Sequence, residues 1–471
     1  MLYNIPKNLS FFRFKKFPEY KKVLMTNITW DWIIVWEKQF NKIIKWDLSK
    51  SLEIKLEKNW FLKTEDNKKN IIKAYRNKHG YLSYGPTLHI ISLTKWCNLN
   101  CIYCHSKAIW KDVNKYHLTK EIADKYIKII LTSKSSMLTI EFQWWEPTLN
   151  WDVLTYIVNQ INKQKKDKKI NFTTTTNLFY MPDEKIKFLL ENNFKINISV
   201  DWSNLIHNKN RPAVNWKNSF ENLKENLKRV RYFEKKYKKE LITWWIAVIT
   251  RYSLAYPKEL AQTYKELWLH FILTKYLDWL WKSEYIKDYI WYKMKDFIDF
   301  YKKYLDEIWN INNNWYKLID GFVHIFIKKI LWKTNPWYVD LQNPCGASIW
   351  QVAYDWDGKI YTCDEWRTIE GGIFSLWDYT KINDVKDIVQ NETTSIMSNC
   401  SCLESNVCDM CAYQPYCWTC PIHNYINFGE IFVDIRKTPR HKFNNFLQNF
   451  VFKKEITKDK NRLKMFKNWL K

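Results

Sequence analysis

Six strand-like runs alternate with helix-like runs across the first two thirds of the chain, and this alternation limits the fold more than any other feature. One helix opens at Leu118-Thr119, and its pattern puts Ile122, Tyr126, Ile129 and Ile130 on one face. The predicted strands cover residues 88–93, 138–142, 170–175, 196–200, 242–249 and 270–274. Strands that alternate with helices pair in parallel, so we predict an α/β fold containing a partial (β/α)6 TIM-type barrel. Binding sites in such sheets lie at the carboxyl ends of the strands.

The rest of the chain divides around this barrel. The N-terminal part resembles a small winged-helix-like module. Its pattern predicts a strand pair at 23–25 and 32–35, followed by helices at 37–44 and 49–60. Gly85-Pro86 interrupts regular structure and marks a boundary. We assign the N-terminal module to 1–85, the barrel to 86–300, a helical bridge to 301–344, a Cys-rich domain to 345–443 and a basic amphipathic helix to 444–471. A long helical stretch is predicted at 283–333.

Charge and hydropathy exclude several classes of protein. The net charge is +26, but the basic residues are dispersed and no aromatic-basic reader motif is present, so we expect no nucleic-acid partner.

The first residues lack a signal pattern, and no run approaches about 18 uncharged apolar residues, so we expect a cytoplasmic protein with no membrane span. The 11 cysteines are grouped and odd in number, and metal ligation is their natural use in such a compartment.

Tryptophan and glycine are present in unusual amounts. The chain has 28 tryptophans and only 8 glycines, and many tryptophans follow Asp or Asn where a turn favours glycine, as in Asp31-Trp32, Asp201-Trp202 and Asn314-Trp315. We hypothesise that UGA codons that mean glycine in the source organism are translated here as tryptophan. The alternative is a chain that is truly rich in tryptophan.

Three cysteines come directly after the first predicted strand, in the run Ser92-Leu-Thr-Lys-Trp-Cys97-Asn-Leu-Asn-Cys101-Ile-Tyr-Cys104. Cysteines at these spacings can wrap around an iron-sulfur cubane and give three of its four irons a thiolate. Zinc is the alternative, with His105 recruited as the fourth ligand that this ion prefers. The position at the end of a buried strand favours the cluster.

This spacing, with Tyr103 before the third cysteine, resembles the signature of the radical SAM superfamily. The resemblance implies that Cys97, Cys101 and Cys104 hold a [4Fe–4S] cluster whose open iron binds S-adenosyl-L-methionine (SAM). Reductive cleavage of SAM then gives a 5′-deoxyadenosyl radical, and Tyr103 lies near the adenine.

A second segment carries the same resemblance. Gln143-Trp144-Trp145-Glu146-Pro147 stands where the family has Gly-Gly-Glu-Pro, a place where the backbone approaches the methionine group of SAM and the glutamate accepts from its ammonium. Two indoles would obstruct this pocket. Either the enzyme is impaired or Trp144 and Trp145 are glycines.

Further motifs follow at later strand ends. Thr176-Asn177 and the series Ser199, Asp201, His207 and Arg211 resemble family positions that contact the SAM carboxylate, its ribose or the substrate. Each motif alone is also typical of a helix cap. Their order along the chain carries the resemblance.

The C-terminal cysteines resemble the SPASM extension, which binds two auxiliary four-iron clusters. By position, Cys345, Cys363 and Cys420 would hold the first cluster, and Cys408, Cys411 and Cys417 the second. The fourth ligands stay open, with Cys400, Cys402 and His441 as candidates. A structural zinc ribbon is the alternative for 408–420.

Asp364 follows Cys363 directly. In the sulfatase-maturing relatives the aspartate at this place acts as a base, so the resemblance implies proton removal from a radical intermediate. A plain turn aspartate is the alternative reading.

Within this group the chain most resembles the His-Xaa-Ser system maturases. Matching segments are 140–147, 339–351 and 357–367, and the match improves if Trp350, Trp366 and Trp418 are read as glycine. The resemblance implies three [4Fe–4S] clusters, SAM and a ribosomally made precursor peptide. It also implies a second radical SAM maturase as partner, a flavodoxin- or ferredoxin-type reductant, and a leader-binding role for 1–85. The alternatives are a sulfatase-maturing, formylglycine-generating enzyme and a non-catalytic zinc-binding protein.

Overall fold

The computed structural model describes residues 6–104, 108–110, 113–215, 217–277, 288–336, 338–365, 369, 372–405 and 407–470. The chain forms two compact units. The first comprises Met1–Ser83, Phe322–Gly346 and Ser398–Lys471, and the second comprises Tyr84–Gly321 and Ala347–Met397. Residues 347–397 of the predicted Cys-rich domain therefore belong to the same unit as the parallel sheet.

The first unit begins with a three-stranded antiparallel sheet. Its strands are β1 (Arg13–Phe17), β2 (Lys22–Thr26) and β3 (Trp32–Trp36), in the order β1-β2-β3. Three helices follow, namely α1 (Glu37–Lys45), α2 (Lys50–Lys58) and α3 (Glu65–His79). The predicted strand pair and first two helices are present, whereas β1 and α3 were not predicted. The alternation of β1 is hidden by its lysines, and α3 buries only two of its residues, so neither has a clear apolar period.

Apolar side chains of the sheet and helices form one core in this module. The alternating residues Val23 and Met25 of β2 and Ile33 and Val35 of β3 point to the same side of the sheet, as the period of a strand requires. They pack against Leu9, Phe12, Phe40, Ile43, Leu52, Leu56, Phe61 and Leu62.

The second unit is built on a ten-stranded sheet. The six predicted strands are all present within two residues of their expected ends: β4 (Leu88–Ile91), β5 (Met137–Phe142), β6 (Lys169–Thr176), β7 (Lys195–Ser199), β8 (Ile242–Ile249) and β9 (Phe271–Tyr276). These six strands pair in parallel in sequence order. This arrangement confirms the predicted α/β class.

Four further strands extend the sheet at its two edges. β10 (Ile319–Asp320) pairs in parallel with β9, and β11 (Gln351–Tyr354) pairs in parallel with β4. β12 (Lys359–Tyr361) and β13 (Ser375–Asp378) continue as antiparallel strands beyond β11. Within the described residues the sheet order runs β10-β9-β8-β7-β6-β5-β4-β11-β12-β13 without closing into a barrel.

Helices connect the parallel strands, as the βα pattern requires. They are α4 (Lys120–Leu131), α5 (Trp151–Gln164), α6 (Asp183–Glu191), α7 (Asn204–Asn210), α8 (Ser219–Tyr237) and α9 (Pro257–Glu266). Thr119 caps α4 as predicted, because its side chain accepts from the backbone N–H of Ile122. Tyr126, Ile129 and Ile130 are buried on its inner face.

Two predictions about helices need correction. The stretch at 283–333 is not one helix: after Met294–Asn313 the chain forms β10, then the helix Gly321–Ile327 and a π-helical turn at Lys328–Trp332, while 283–287 lie outside the described residues. The tail is two helices, Pro439–Thr457 and Lys460–Trp469. Lys458 ends the first in a left-handed conformation, and Asp459 caps the second, which the apolar pattern alone did not reveal.

No helix in the described part of the chain is both long enough and apolar enough to cross a membrane.

Candidate active site

The three-cysteine loop is held by backbone hydrogen bonds to the segment after α7. The N–H of Asn100 donates to the carbonyl of Pro212 at 2.8 Å, and the N–H of Ile102 donates to that of Asn210 at 2.9 Å. Leu99 also forms a β-bridge with Ala213. The loop therefore has a fixed shape at the carboxyl end of β4.

Cys97 is the buried member of the three thiols. Its Sγ accepts from the N–H of Leu99 at 3.4 Å and from Asn177 Nδ2 at 3.6 Å. Burial raises the pKa of Cys97, and the nearby groups of Cys101, Glu146 and Cys104 raise it further. A thiolate at Cys97 therefore needs a positively charged partner. The two N–H groups that face its sulfur are of the kind that donate hydrogen bonds to the thiolates of iron-sulfur clusters.

Glu146 joins two of the predicted motifs. Its carboxylate accepts from Thr176 Oγ1 at 2.9 and 3.0 Å, from the N–H of Asn177 at 2.8 Å and from Thr148 Oγ1 at 2.7 Å. The N–H of Glu146 donates to the carbonyl of Trp96 at 3.3 Å. The glutamate therefore ties the end of β6 to the start of the cysteine loop. Pro147 begins the buried turn that follows.

A buried ion pair lies behind the loop. Arg211 Nε is 3.1 Å from Asp201 Oδ2, and the Tyr103 hydroxyl donates to the same oxygen at 2.7 Å. The N–H of Val248 donates to Asp201 Oδ1 at 3.2 Å. Burial opposes the charge of Arg211, but the Asp201 carboxylate together with the nearby groups of Tyr103 and Cys101 outweighs burial and raises the pKa of the guanidinium. These predicted site residues are brought together, and they orient Tyr103.

His207 completes this network in its neutral form. Its Nδ1 accepts from the N–H of Asp201 at 3.3 Å, and burial, together with the charge of Arg211, lowers the pKa of His207 to about 3. His105, the candidate zinc ligand, lies outside the described residues.

The partly exposed face of the parallel sheet is polar, and of its residues the sequence singled out Ser199 but not Glu141, Thr175 or Asn197. Thr175 of β6 donates to Glu141 of β5 at 3.4 Å, and Asn197 of β7 donates to Thr175 at 3.4 Å. Ser199 lies on the same face of β7 as Asn197 and is partly exposed. Period-two alternation puts these residues opposite the helix-covered apolar face, and that alternation is the signal that could have found them.

Asp364 is brought to the same edge of the sheet. Gln143, the last residue before Trp144, donates through Nε2 to Asp364 Oδ2 at 2.9 Å. The candidate base is half-buried. Through Gln143 it contacts the segment that carries Glu146. Cys363 beside it is buried, and Trp366 lies outside the described residues.

In the first unit, Cys408, Cys411 and Cys417 lie near one another. Burial raises the pKa of Cys408 to about 12, and Cys417 and Cys411 raise it as well. Asn444 Nδ2 donates to Cys417 Sγ at 3.7 Å. The predicted second auxiliary set is thus gathered.

The remaining cysteines of this unit form a looser arrangement. Burial raises the pKa of Cys400 to about 12, with Cys420 as the second cause, so these two lie close together. Cys345 and Cys402 both act on Tyr81, whose pKa is raised by burial first. Burial lowers the pKa of His441, and Asp434, which raises it, also raises the pKa of Cys408.

The N-terminal sheet holds the Cys408–Cys417 loop in place. Phe14 of β1 forms a parallel β-bridge with Cys411, and the Thr26 hydroxyl donates to the carbonyl of Ala412 at 2.8 Å. The Tyr416 hydroxyl donates to the carbonyl of Trp30 at 3.0 Å. Sequence reasoning missed this support because the partners are hundreds of residues apart.

The donor sets fit iron-sulfur clusters better than single ions. Among the described residues, no three His, Cys, Asp or Glu side chains are close enough to share one metal ion. Cys101 and Cys104 lie near enough to Cys97 to raise its pKa, and an N–H donor faces the Cys97 sulfur. A cubane separates its thiolates more widely than a lone ion does.

The parallel sheet with three thiols at its carboxyl edge defines the class of this region. Residues 91–235 match the family model of the Radical SAM superfamily. The family implies a [4Fe–4S] cluster and SAM at this edge.

Several curated proteins are similar over longer stretches. A Cysteine-type anaerobic sulfatase-maturating enzyme of Clostridium perfringens is 25% identical over 308 residues, which cover 63% of this chain and 76% of the relative. The Radical SAM cyclopropyl synthase TigE of Paramaledivibacter caminithermalis is 26% identical over 183 residues, covering 34% of this chain and 39% of the relative.

Solved structures show the same fold. Native anSMEcpe with bound AdoMet superposes with a TM-score of 0.64 at 19% identity, covering 80% of this chain and 100% of that one. Streptococcus suis SuiB bound to its precursor peptide SuiA superposes with a TM-score of 0.52 at 14% identity, covering 92% and 98%. A further anSMEcpe structure holds AdoMet and the Cp18Cys peptide.

Proposed function

We propose that this chain is a radical SAM peptide maturase that abstracts a hydrogen from a ribosomally made precursor peptide. The observation that carries the proposal is the single edge of the sheet at which the three thiols, Glu146 and Asp364 meet. When bound, the cluster and SAM supply the hydrogen-abstracting radical. Residues of the chain hold the cluster, fix its loop and accept the proton that the peptide releases.

Each of these residues has a separate part. Cys97, Cys101 and Cys104 hold the cluster and leave one iron open. Glu146 fixes the loop against β6 through Thr176 and Asn177. Asp364 accepts the proton that the peptide releases when its radical is oxidised, and Gln143 orients that carboxylate.

The cysteines of the C-terminal region would serve two auxiliary clusters. Cys408, Cys411 and Cys417 serve one; Cys345, Cys363 and Cys420 serve the other, with Cys400, Cys402 or His441 as candidates for the fourth ligands. The closeness of Cys408, Cys411 and Cys417 supports the former set. These clusters would accept the electron that leaves the peptide and return it to a flavodoxin- or ferredoxin-type protein.

The peptide substrate is inferred from the relatives. SuiB and anSMEcpe are both solved with bound peptides, and this chain shares their fold over most of its length. The three-stranded module offers β3 as an edge strand of its sheet, to which an extended leader peptide could add. The His-Xaa-Ser type of system, with a second radical SAM maturase as partner, remains our specific proposal.

The test is coexpression of the chain with the short peptide encoded beside its gene, under anaerobic conditions, followed by mass analysis of that peptide. We expect a modified peptide with the form that has glycine at 144 and 145, and an unmodified one when Cys101→Ala is added to that form. An unmodified peptide in both cases, together with a colourless zinc protein that does not cleave SAM, would favour the non-catalytic alternative.

A sulfatase-type maturase is the second candidate, and the Asp364–Gln143 contact favours it, since an aspartate acts as base in those relatives. Incubation with a peptide that carries a sulfatase Cys or Ser motif separates the two. Formation of formylglycine on that peptide, with no change in the neighbouring short peptide, would replace the first proposal by the second.

A further inference from the structure

A group of tryptophans in this chain has a left-handed backbone. Eight tryptophans have positive φ: Trp30 (71°), Trp46 (58°), Trp60 (61°), Trp144 (77°), Trp145 (51°), Trp268 (56°), Trp315 (65°) and Trp377 (147°). No other non-glycine residue type of the described chain occurs there as often. Lysine is next with five, although lysine and arginine together number 75 against 28 tryptophans. Bulky side chains strongly disfavour this conformation, and glycine adopts it freely.

Four of these residues stand just after helices. Trp46 ends α1, and its N–H donates to the carbonyl of Ile43 at 3.1 Å. Trp60 and Trp268 follow α2 and α9 and donate in the same way to Glu57 and Lys265. Trp315 follows the helix Met294–Asn313. Helices most often end in a left-handed glycine at this place.

Packing gives no reason for large side chains at several of these positions. Trp315 is 100% exposed and Trp268 is 68% exposed. An exposed indole in a strained backbone conformation gains little burial to offset the strain. At these two exposed positions, core packing therefore does not obscure the preference of the left-handed backbone for glycine.

The pair at the candidate active site has a further consequence. Trp144 and Trp145 are left-handed in succession, and the side chain of Trp145 packs against the cluster that contains Cys97 and Leu99, together with Cys101. The indole therefore fills space against the buried cluster to which the Cys97 side chain belongs. Replacing it with hydrogen would open that space.

We infer that the eight left-handed tryptophans are glycines in the protein as its source organism makes it, encoded by UGA, and that the space which the Trp145 indole fills against the Cys97 cluster opens only in that form. The inference does not depend on the proposed function. It does not extend to Trp32, Trp202, Trp350 or Trp418, whose backbones are not left-handed, although the buried indole N–H of Trp418 has no hydrogen-bond partner among the described residues.

The direct test is peptide mass mapping of the protein isolated from its source, over the peptides that contain Trp144-Trp145 and Trp315. We expect glycine masses at all three positions. Tryptophan masses there would overturn the inference, whatever the enzyme does.

A recombinant test compares two forms of the whole chain, one as written and one with all eight positions changed to glycine. We expect the glycine form to have a higher unfolding midpoint. After anaerobic iron reconstitution, we expect it alone to bind SAM saturably. Trp332→Gly is the matched control, because Trp332 is 48% exposed but helical, and we expect it to lower the midpoint. A glycine form that is less stable than the parent would contradict the inference, whereas a more stable glycine form that binds SAM no better would contradict the proposed function.

Discussion

The two cysteine regions of this protein are held in different ways. Cys97, Cys101 and Cys104 lie within eight residues of one another, on a loop fixed by neighbouring βα units of the same sheet. The loop at Cys408–Cys417 is instead fixed by the N-terminal sheet, through contacts such as that of Thr26 with Ala412, 386 positions apart.

This difference explains which site a short sequence motif can reveal. The first site needs only local spacing and a preceding strand, so it can be recognised from a few residues. The second depends on long-range packing, so its spacing suggests ligands but does not show what supports them. Damage to the N-terminal module should therefore affect the second region and spare the first.

The largest effect should come from the first region. In the form with glycine at 144 and 145, we expect Cys101→Ala to abolish reductive SAM cleavage and to remove about four of roughly twelve irons, because one cluster loses a ligand while the proposed auxiliary clusters keep theirs. Iron analysis and assay of 5′-deoxyadenosine measure both results. Cys411→Ala is the matched control and should retain SAM cleavage; equal loss of cleavage in both variants would show that the two regions are not separate.

The buried ion pair behind the loop should matter next. Asp201→Asn leaves the Arg211 guanidinium buried without its counter-charge, and we expect a loss of about 3–5 kcal/mol in the free energy of unfolding. Denaturant unfolding measures this change. Glu65→Gln at the exposed pair with Lys68 is the control and should change stability by less than about 1 kcal/mol. A loss that small for Asp201→Asn would contradict the structural role of the pair.

The same site predicts a dependence on pH. His207 has a folded pKa of about 3 against an ordinary value of 6.5, so between these values the unfolded chain binds a proton that the folded chain does not. Stability should therefore fall as pH falls from 6.5 toward 3, with His207 contributing about 1.4 kcal/mol per pH unit. His207→Gln should flatten the curve of unfolding free energy against pH; an unchanged slope would refute this reading.

The sequence predicted features that depend on local pattern, but it did not predict contacts between distant segments. All six parallel strands and the meeting of Glu146 with Thr176 and Asn177 follow from local pattern and from the rule that strand ends converge. The addition of β11 beside β4 did not, since it joins segments more than 250 residues apart. Nor did the Asp364–Gln143 contact, which arises from a turn with no periodic signal.

A smaller effect should mark the support given by the N-terminal sheet. Thr26→Val removes the buried donor to the Ala412 carbonyl and should destabilise by about 1–3 kcal/mol. Hydrogen exchange should quicken at 408–417 and stay unchanged at 97–104. Ser49→Ala at an exposed hydroxyl is the control. Faster exchange in both cysteine regions would show that they share one support.

The central claim is that the three thiols hold a cluster that cleaves SAM in a chain with glycine at 144 and 145. The most direct measurement is anaerobic reconstitution of the Trp144→Gly/Trp145→Gly form, reduction in the presence of SAM, and quantification of 5′-deoxyadenosine. We expect cleavage that disappears when Cys101→Ala is added. An iron-loaded glycine form that produces no 5′-deoxyadenosine would contradict the account.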